Sequence, residues 1–567
     1  MHEVTMPFYF VEGNRKMAER YGIVVSTSHC EPMMRNSATE WDLAGKGDYN
    51  FLKNRQAVVD YWTDRLKELG HSDNIFTMGM RGKHDGRMIG VKNTHEYKDA
   101  LNAVLQVQDS LLRQYIHPDS KKIPQQFVPY KEVLDVYRAG LEVPDHITLV
   151  WPDDNFGYIR HFPDEKERKR TGGNGVYYHT SYWGEPHDFL WLGIVQPSLM
   201  YQQMKLAYDR NMRKIWVLNV GDIKPSEYLT EFFLDMAWDI NLSGCKSGSG
   251  VVFSHLGNWL NQTFGKKTGK ELLPLMKDFY LLSHIRKPEF MGNTRTYDKR
   301  HEQIADLPWS TEEINERLEQ FKKLSDRVEK LYATVPSNRK DAYFEMIQYP
   351  VQASNEMNKK MLYAQFARHT PSDSASLWKK SDAAYDSIVS LTRRFNSLLD
   401  GKWNHIISTA PRGLIVFDKV KRTASSTALV SSPAPLQLWN GTEHDAVTGQ
   451  HTVIDGLGHS GKAIYLGKGG TVEYEYRNFR KDSLTVEVCL VPTHAVEGGK
   501  LRFAVSTDDR EPQVFDCETA EYSEEWKVNI LRAQAVKTAR FPSGSRKGRI
   551  KITALDEGVV IDQIRLR

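Results

Sequence analysis

The 567-residue sequence predicts a multidomain chain: a partial (β/α)8 TIM-type barrel, then an α-helical bundle, then a β-sandwich. Three observations predict it. Over 1–225, short apolar runs alternate with amphipathic helices, and each run ends in a polar cluster. That is the pattern of a parallel sheet with chemistry at its C-terminal edge. Over 226–420, apolar residues recur every three or four positions, as in helices packed side by side. Over 421–567, alternating runs are separated by short turns, as in an antiparallel sandwich. One core stops growing near ~250–300 residues, so several domains are expected.

Taken in order, the first strand is Gly22 to Thr27 (GIVVST), followed by SHCEPMMR. A helix from Phe51 to Leu69 sets Val58, Val59, Trp62 and Leu66 on one face, with Gly70 as its stop. Asn74 to Met80 is the next strand, leading into RGKHDGR. A helix near Tyr97 to Tyr115 follows, then a strand Phe127 to Tyr130 and KEVLDVY. The centre of the region is ITLVWPDDNFGYIRHF and GGNGVYYHTSYWGEPHDFLWL. Its strands, Ile147 to Trp151 and Val176 to Tyr178, run into Asp153, Asp154 and Asn155, and into His179, Tyr182, Glu185, His187 and Asp188. A helix near Gln202 to Arg210 and a strand Ile215 to Val220 complete the region. These are six strands, where a closed barrel needs eight.

In the bundle, the clearest helix begins at a capping box, Ser310 with Glu313. Its seam is Ile314, Leu318, Phe321, Leu324, Val328 and Leu331. Further helices are expected near 341–369 and 376–400. KRTASSTALVSSPAPLQ, over 421–437, reads as a linker. Beyond it QHTVIDG, KAIYLG, TVEYEYR, SLTVEVCLV, LRFAVSTDD, WKVNIL, GRIKITAL and VVIDQIRLR read as strands. Such a sandwich is a candidate carbohydrate-binding domain.

A net charge of +4 is small for this length, so no nucleic-acid partner is implied, and no apolar run approaches the ~20 residues of a spanning helix. Cys30, Cys245, Cys489 and Cys517 form no CxxC, which argues against a zinc module. Cys489 and Cys517 share the β-rich region, where a pair is one option. No signal peptide is visible.

Collected from the strand ends are His29 and Glu31, Arg81 with His84 and Asp85, Glu132, Asp153 to Asn155, His179, Tyr182 and Glu185, and Asp222. Nucleophile elbow, phosphate loop and glycine fingerprint are all missing from the sequence. Carboxylates beside aromatics are the equipment of glycoside hydrolysis. Arg81 adds a guanidinium suited to an acidic sugar. His29-x-Glu31 allows a metal reading, but no compact third ligand follows, and none is expected. Ordinary roles stand beside these: Glu132 as an acid in a helix's first turn, Asp85 as a local partner of Arg81 or Arg87, and His187 and Asp188 as structural groups.

TSHCEPMMR, MGMRGKHDGR, PYKEVLDVY, WPDDNFGYIR, GGNGVYYHTSYWGEPHDFLWL and WVLNVGDIKPSEYLTEFFLDMAWD together resemble glycoside hydrolase family 115. The resemblance covers about 1–420. It implies xylan α-1,2-glucuronidase activity, releasing glucuronic acid or its 4-O-methyl ether with inversion and without a cofactor. It implies glucuronoxylan or its oligosaccharides as partner, no nucleic acid, no membrane, a homodimer as candidate assembly, and a secreted or periplasmic location. By motif, Glu132 resembles the family's proposed general acid, and Asp85 a catalytic carboxylate, here the candidate base. Arg81, Asn155, His179 and Tyr182 resemble substrate-binding residues; Asp153, Glu31 and Glu185 lie in equally matched motifs. The family's N-terminal domain, first barrel strand and most or all of its second are expected to be missing. That would leave Ile23–Val25 and Val217–Val220 as unpaired edges and an open barrel, with hydrolysis far below that of a complete homologue. The alternative is a truncated, non-catalytic carbohydrate-associated protein.

Overall fold

The computed structural model describes residues 3–567, apart from 6–11, 70–72, 84, 297–303, 424–428, 430–433, 478–482, 509 and 543–545. The expected helix stop Gly70, the strand-end His84 and most of the linker lie outside the described residues. The chain divides into two compact units. The first is Met1–Asp153, Ile159–Tyr178 and Leu206–Val217, and the second is Asp154–Tyr158, His179–Lys205 and Leu218–Arg567.

A single sheet of seven strands in sequential order organises the first unit: β1 (Glu3–Thr5), β2 (Val24–Ser26), β3 (Asn74–Thr77), β4 (Gln125–Phe127), β5 (Thr148–Pro152), β6 (Asn174–His179) and β7 (Met212–Asn219). Pairing is parallel from β1 through β6, in registers such as Val25 with Asn74, Gln126 with Thr148 and Trp151 with Val176. Neighbours in chain order joined by helices are the plan of a (β/α) barrel. β5 is buried at all five positions, as a strand covered on both faces must be, and that is why it reads as a continuous apolar run. At Gly175 in β6, a Cβ would collide with the Ile215 carbonyl of β7, so only glycine lets these strands approach.

Two features of this sheet depart from expectation. β1 is a seventh strand, and its Glu3 and Val4 pair with Val24 and Val25. The expected free edge at Ile23–Val25 is therefore wrong: β2 is an interior strand. β4 begins and ends earlier than Phe127 to Tyr130, because Pro129 has no N–H to give a ladder and the chain turns there, Tyr130 N–H donating to Val128 O at 2.8 Å. Gln126 faces a polar seam, its amide donating to Ser26 Oγ at 2.6 Å and Thr77 Oγ1 at 3.3 Å, while the Gln125 amide donates to the carbonyls of Ser120 and Ile123. Such N–H partners let amides be buried in a strand, but no apolar pattern reveals them.

In the second unit, the helices include Glu227–Trp238, Val251–Phe264, Lys266–Ile285, Thr311–Tyr332, Tyr349–His369 and Ser374–Gly401. The capping box is present in both directions: Ser310 Oγ accepts from Glu313 N–H, and the Glu313 carboxylate accepts from Ser310 N–H. Along its seam Ile314, Phe321, Leu324, Val328 and Leu331 are buried, while Leu318 is only half-buried. Arg317 is buried in its place, its guanidinium donating to the carbonyls of Leu282 and Arg286 and to Asn358 Oδ1.

The chain ends in two antiparallel sheets, of six and five strands. They share one core, in which Val472, Tyr474, Val486, Val488, Ile550, Ile552, Ile561 and Ile564 are all fully buried. WKVNIL is helical and not the expected strand. It lies in the helix Glu524–Arg532, whose Ser523 side chain accepts from Trp526 N–H. The cap and the two acids in its first turn outweigh a six-residue alternation. All four cysteines are free thiols, so Cys489 and Cys517 are not paired.

Candidate active site

The loops after β2, β3 and β4 bring His29, Asp85, Lys131 and Glu132 of the first unit together around Arg81. Its own loop is placed by a clamp. The buried Gln108 side chain, from the helix Thr94–Tyr115, donates to Gly79 O and accepts from Gly79 N–H, both at 2.8 Å. Gly79 sits at φ 92, and a Cβ there would meet the Phe127 ring at 2.7 Å. Both facts require glycine and fix where Arg81 starts.

Arg81 is buried and grips two carboxylates. Nε and Nη2 donate to Glu132 Oε1 and Oε2 at 3.1 and 2.8 Å, and Nη1 donates to Asp85 Oδ1. Lys131 Nζ lies 2.7 Å from Asp85 Oδ2. His29 Nε2 lies 3.1 Å from Asp85 Oδ1, and its ring packs 4.0 Å from that of Tyr130 and 5.6 Å from that of Tyr177. Lys131 adopts φ 51 and ψ −123, a conformation that costs a non-glycine residue ~1–3 kcal/mol. Backbone strain held against a carboxylate is a mark of functional sites.

The electrostatics follow from these contacts. Burial alone would raise Asp85, but the hydrogen bond with His29 and the charges of Arg81 and Lys131 outweigh it and hold the carboxyl far below its usual range. Burial lowers His29 to about 4 in spite of Asp85, so the ring is neutral near pH 7. Glu31 is buried, with Oε1 unpartnered, and burial raises it to about 8. It is a neutral acid, not an ion. Asp153 is buried at the end of β5, with its backbone N–H donating to Tyr177 O.

His29, Cys30 and Asp85 place ligand-type atoms within 4.8 Å of one another. This set does not suit a cation. Asp85 is already flanked by a guanidinium and an ammonium, and burial pushes the Cys30 thiol up to about 12, where it stays protonated.

The remaining candidates belong to the second unit. Asn155 is buried at φ 72, in the left-handed region that asparagine tolerates, and its amide donates to Glu521 Oε1 at 3.4 Å. Buried His179 and Tyr182 pack edge to face with centroids 5.9 Å apart. Glu185 pairs with Lys527 at 2.9 Å. Asp154 is an anchor: Oδ1 accepts the N–H groups of Phe156 and Tyr158, and Oδ2 accepts the Trp526 indole N–H at 2.9 Å. Asp188 accepts from Gly184 N–H and pairs with Arg412, while His187 Nδ1 lies 2.8 Å from Asp188 O, which suits the structural roles expected of both. Asp222 is exposed.

The model of glycosyl hydrolase family 115 matches residues 2–290, and that of the family's C-terminal domain matches 444–567. The chain belongs to glycoside hydrolase family 115. The structure of BtGH115A, described as a family GH115 4-O-methyl-α-glucuronidase with specificity for decorated arabinogalactans, is 48% identical. It aligns with a TM-score of 0.94 over 100% of this chain and 74% of that one. Two other solved structures are an exo-β-1,3-galactanase of Phanerochaete chrysosporium and a carbohydrate-binding module of Cellvibrio mixtus lichenase. The first is 17% identical over 24% of this chain and 30% of its own, with TM-score 0.19. The second is 12% identical over 24% and 97%, also with TM-score 0.19. Likeness at that level carries no argument. No curated protein matches the chain. As a family 115 member the chain is a glycoside hydrolase of α-glucuronidase type. No described helix is long and apolar enough to cross a membrane.

Sequence reasoning missed Lys131, and the sandwich residues Glu521, Trp526 and Lys527. Lys131 was visible beside Glu132, but nothing local shows that it turns toward Asp85. The sandwich residues lie more than 300 positions from their partners and have no sequence signal.

Proposed function

We propose that this family 115 enzyme releases glucuronic acid or its 4-O-methyl ether, α-1,2-linked to xylan, with inversion, in a secreted or periplasmic setting. The observation that carries the reading is Arg81, one buried guanidinium bonded to both Glu132 and Asp85. Two carboxyl groups in distinct environments are what an inverting hydrolase needs, one to protonate the leaving oxygen and one to activate water on the opposite face. Asp85, held ionised by His29, Arg81 and Lys131, is the base, and Glu132 is the acid. Arg81 binds the uronate carboxylate. Within the first unit Asp153 and Glu31 are further sugar contacts; for Asn155, His179, Tyr182 and Glu185 of the second unit, substrate binding is proposed from the family motifs alone. Neutral Glu31 contributes as a hydrogen-bond donor. Lys527, on Glu185, is a positioning residue.

A second glycan is favoured by the 48% identity to BtGH115A, whose described specificity is for decorated arabinogalactans. Incubation with glucuronoxylan and with glucuronic acid-decorated arabinogalactan, followed by chromatography, separates the two. Proton NMR during the reaction should show the β-anomer first, since an α-linkage is inverted. Initial release of the α-anomer would overturn the stereochemistry. No release from either glycan would favour the non-catalytic alternative. A homodimer is read by light scattering.

A further inference from the structure

Resting on that reading, we propose that the acidic sugar arms its own proton donor. The uronate carboxylate takes Arg81 from Glu132, and Glu132 takes up one proton from solvent as the sugar binds.

At rest Glu132 is engaged as an acceptor. Both oxygens of Glu132 accept N–H bonds from one guanidinium fork, at 3.1 and 2.8 Å, a charge-assisted pairing in which Glu132 serves as acceptor and not as donor to a leaving oxygen. The fork is nevertheless the group best suited to a sugar carboxylate, and it faces a second anion of the same kind. Sugar and Glu132 therefore compete for one site.

The charges facing Glu132 decide the consequence. Arg81 and Lys131 are cationic, Asp85 and Glu132 anionic, and His29 is neutral because burial depresses it. Tyr97, from the helix Thr94–Tyr115, feels the Glu132 charge, and its phenol is raised above its ordinary range first by burial and then by that charge. The cluster is neutral as it stands. An arriving uronate adds one negative charge beside the buried Arg81, and one proton restores the balance. Asp85 is the poorer acceptor, since His29 and Lys131 remain on it after Arg81 turns to the sugar. Glu132 loses both bonds of its fork and takes the proton.

The turnover balances. The Glu132 proton passes to the glycosidic oxygen as its bond to C1 breaks. Water forms the new bond to C1 and gives its proton to Asp85. As glucuronate leaves, Asp85 returns that proton to solvent, and ionised Glu132 recovers Arg81. Specificity for acidic sugars then resides in kcat as well as KM, because a neutral sugar leaves Glu132 in the fork.

Calorimetry of the full chain with D-glucuronate at pH 7, in buffers of different ionisation enthalpy, tests this directly. The expected result is uptake of about one proton per glucuronate bound, and none with D-glucose as titrant. In Glu132→Gln the uptake should vanish while glucuronate still binds; in His29→Gln it should persist. No uptake by the wild type, no binding of glucuronate, uptake that survives Glu132→Gln, or uptake lost in His29→Gln would each overturn the proposal. A second measurement compares aryl and alkyl α-glucuronides with the matching α-glucosides. The rate advantage of the uronide should widen by ~10-fold or more as the leaving group becomes poorer, because only poor leaving groups need the proton. A constant advantage would mean that the carboxylate only binds. If Glu132→Gln stays fully active on glucuronoxylan, the acid assignment itself fails. An inactive Glu132→Gln with no proton uptake in the wild type leaves the function standing and removes only the arming.

Discussion

Arg81 joins Glu132 and Asp85 so closely that their roles are best separated by chemistry rather than by position. Glu132→Gln should lower release from glucuronoxylan by ~10²-fold or more while sparing aryl glucuronides, which leave without protonation. Asp85→Asn should suppress both, because water must be activated whatever the leaving group. Equal responses of the two variants, in steady-state assays on both substrates, would show the roles to be wrong. Glu31 offers a test of a different kind. Its acid form is the one the fold prefers, since burial raises it to about 8 from the usual carboxylate range. The sign is that of a raised pKa: the stability it supports is complete below about pH 4.5 and is lost as pH rises through 8. Glu31→Gln carries no such loss. Its melting temperature should overtake that of the wild type between pH 5 and 9, by calorimetry on both proteins, and parallel curves would mean that Glu31 ionises freely.

At the scale of elements, the site depends on how strand ends are held. Gln108 belongs to a helix, yet its amide closes on both backbone groups of Gly79 just ahead of Arg81. Gln108→Leu has nearly the same volume and leaves a buried N–H and C=O without partners, at ~1–3 kcal/mol each. It should lower the melting temperature and also lower kcat on the uronide, since the Arg81 loop is no longer fixed. Unfolding and kinetics measured on the same preparation check this, and loss of stability with unchanged kcat would show that the loop holds itself. The capping box at Ser310, remote from the site, makes a useful contrast. It contributes to the helix alone, and its loss should cost ~1 kcal/mol without affecting kcat.

At the scale of the whole molecule, the sandwich is more than an appended module. Within the second unit its turn and helix from Glu521 to Lys527 reach Asn155, Asp154 and Glu185. The Lys527–Glu185 pair is mostly shielded from water, with side chains 15% and 28% exposed, so it holds geometry better than a surface pair does. Lys527→Met should raise KM for the polysaccharide several-fold with little change in melting temperature, and Lys527→Arg should restore much of it. A KM unchanged in Lys527→Met would mean that the sandwich contributes nothing to substrate binding.

The sequence by itself determined the order of architectures: helix pairs, capping box, most strands and the family motifs are all written in local periods and short fixed spacings. Those signals report which face of an element is buried, and burial is what a period encodes. Three places escaped this code. β1 is three residues long with no apolar run, the β4 glutamine Gln126 is buried against Ser26 and Thr77, and WKVNIL fits either period until Ser523 caps it. Arg81, Asp85 and Glu132 were legible as motif members, and Asp85 as a local partner of Arg81 or Arg87, but the bond from Arg81 to Glu132 was not. Arg81 and Glu132 stand 51 positions apart, and Asp154 and Trp526 stand 372 apart. Only the tertiary structure decided which charge meets which, because such pairing follows from where folding strips polar groups of water and leaves them one another as partners.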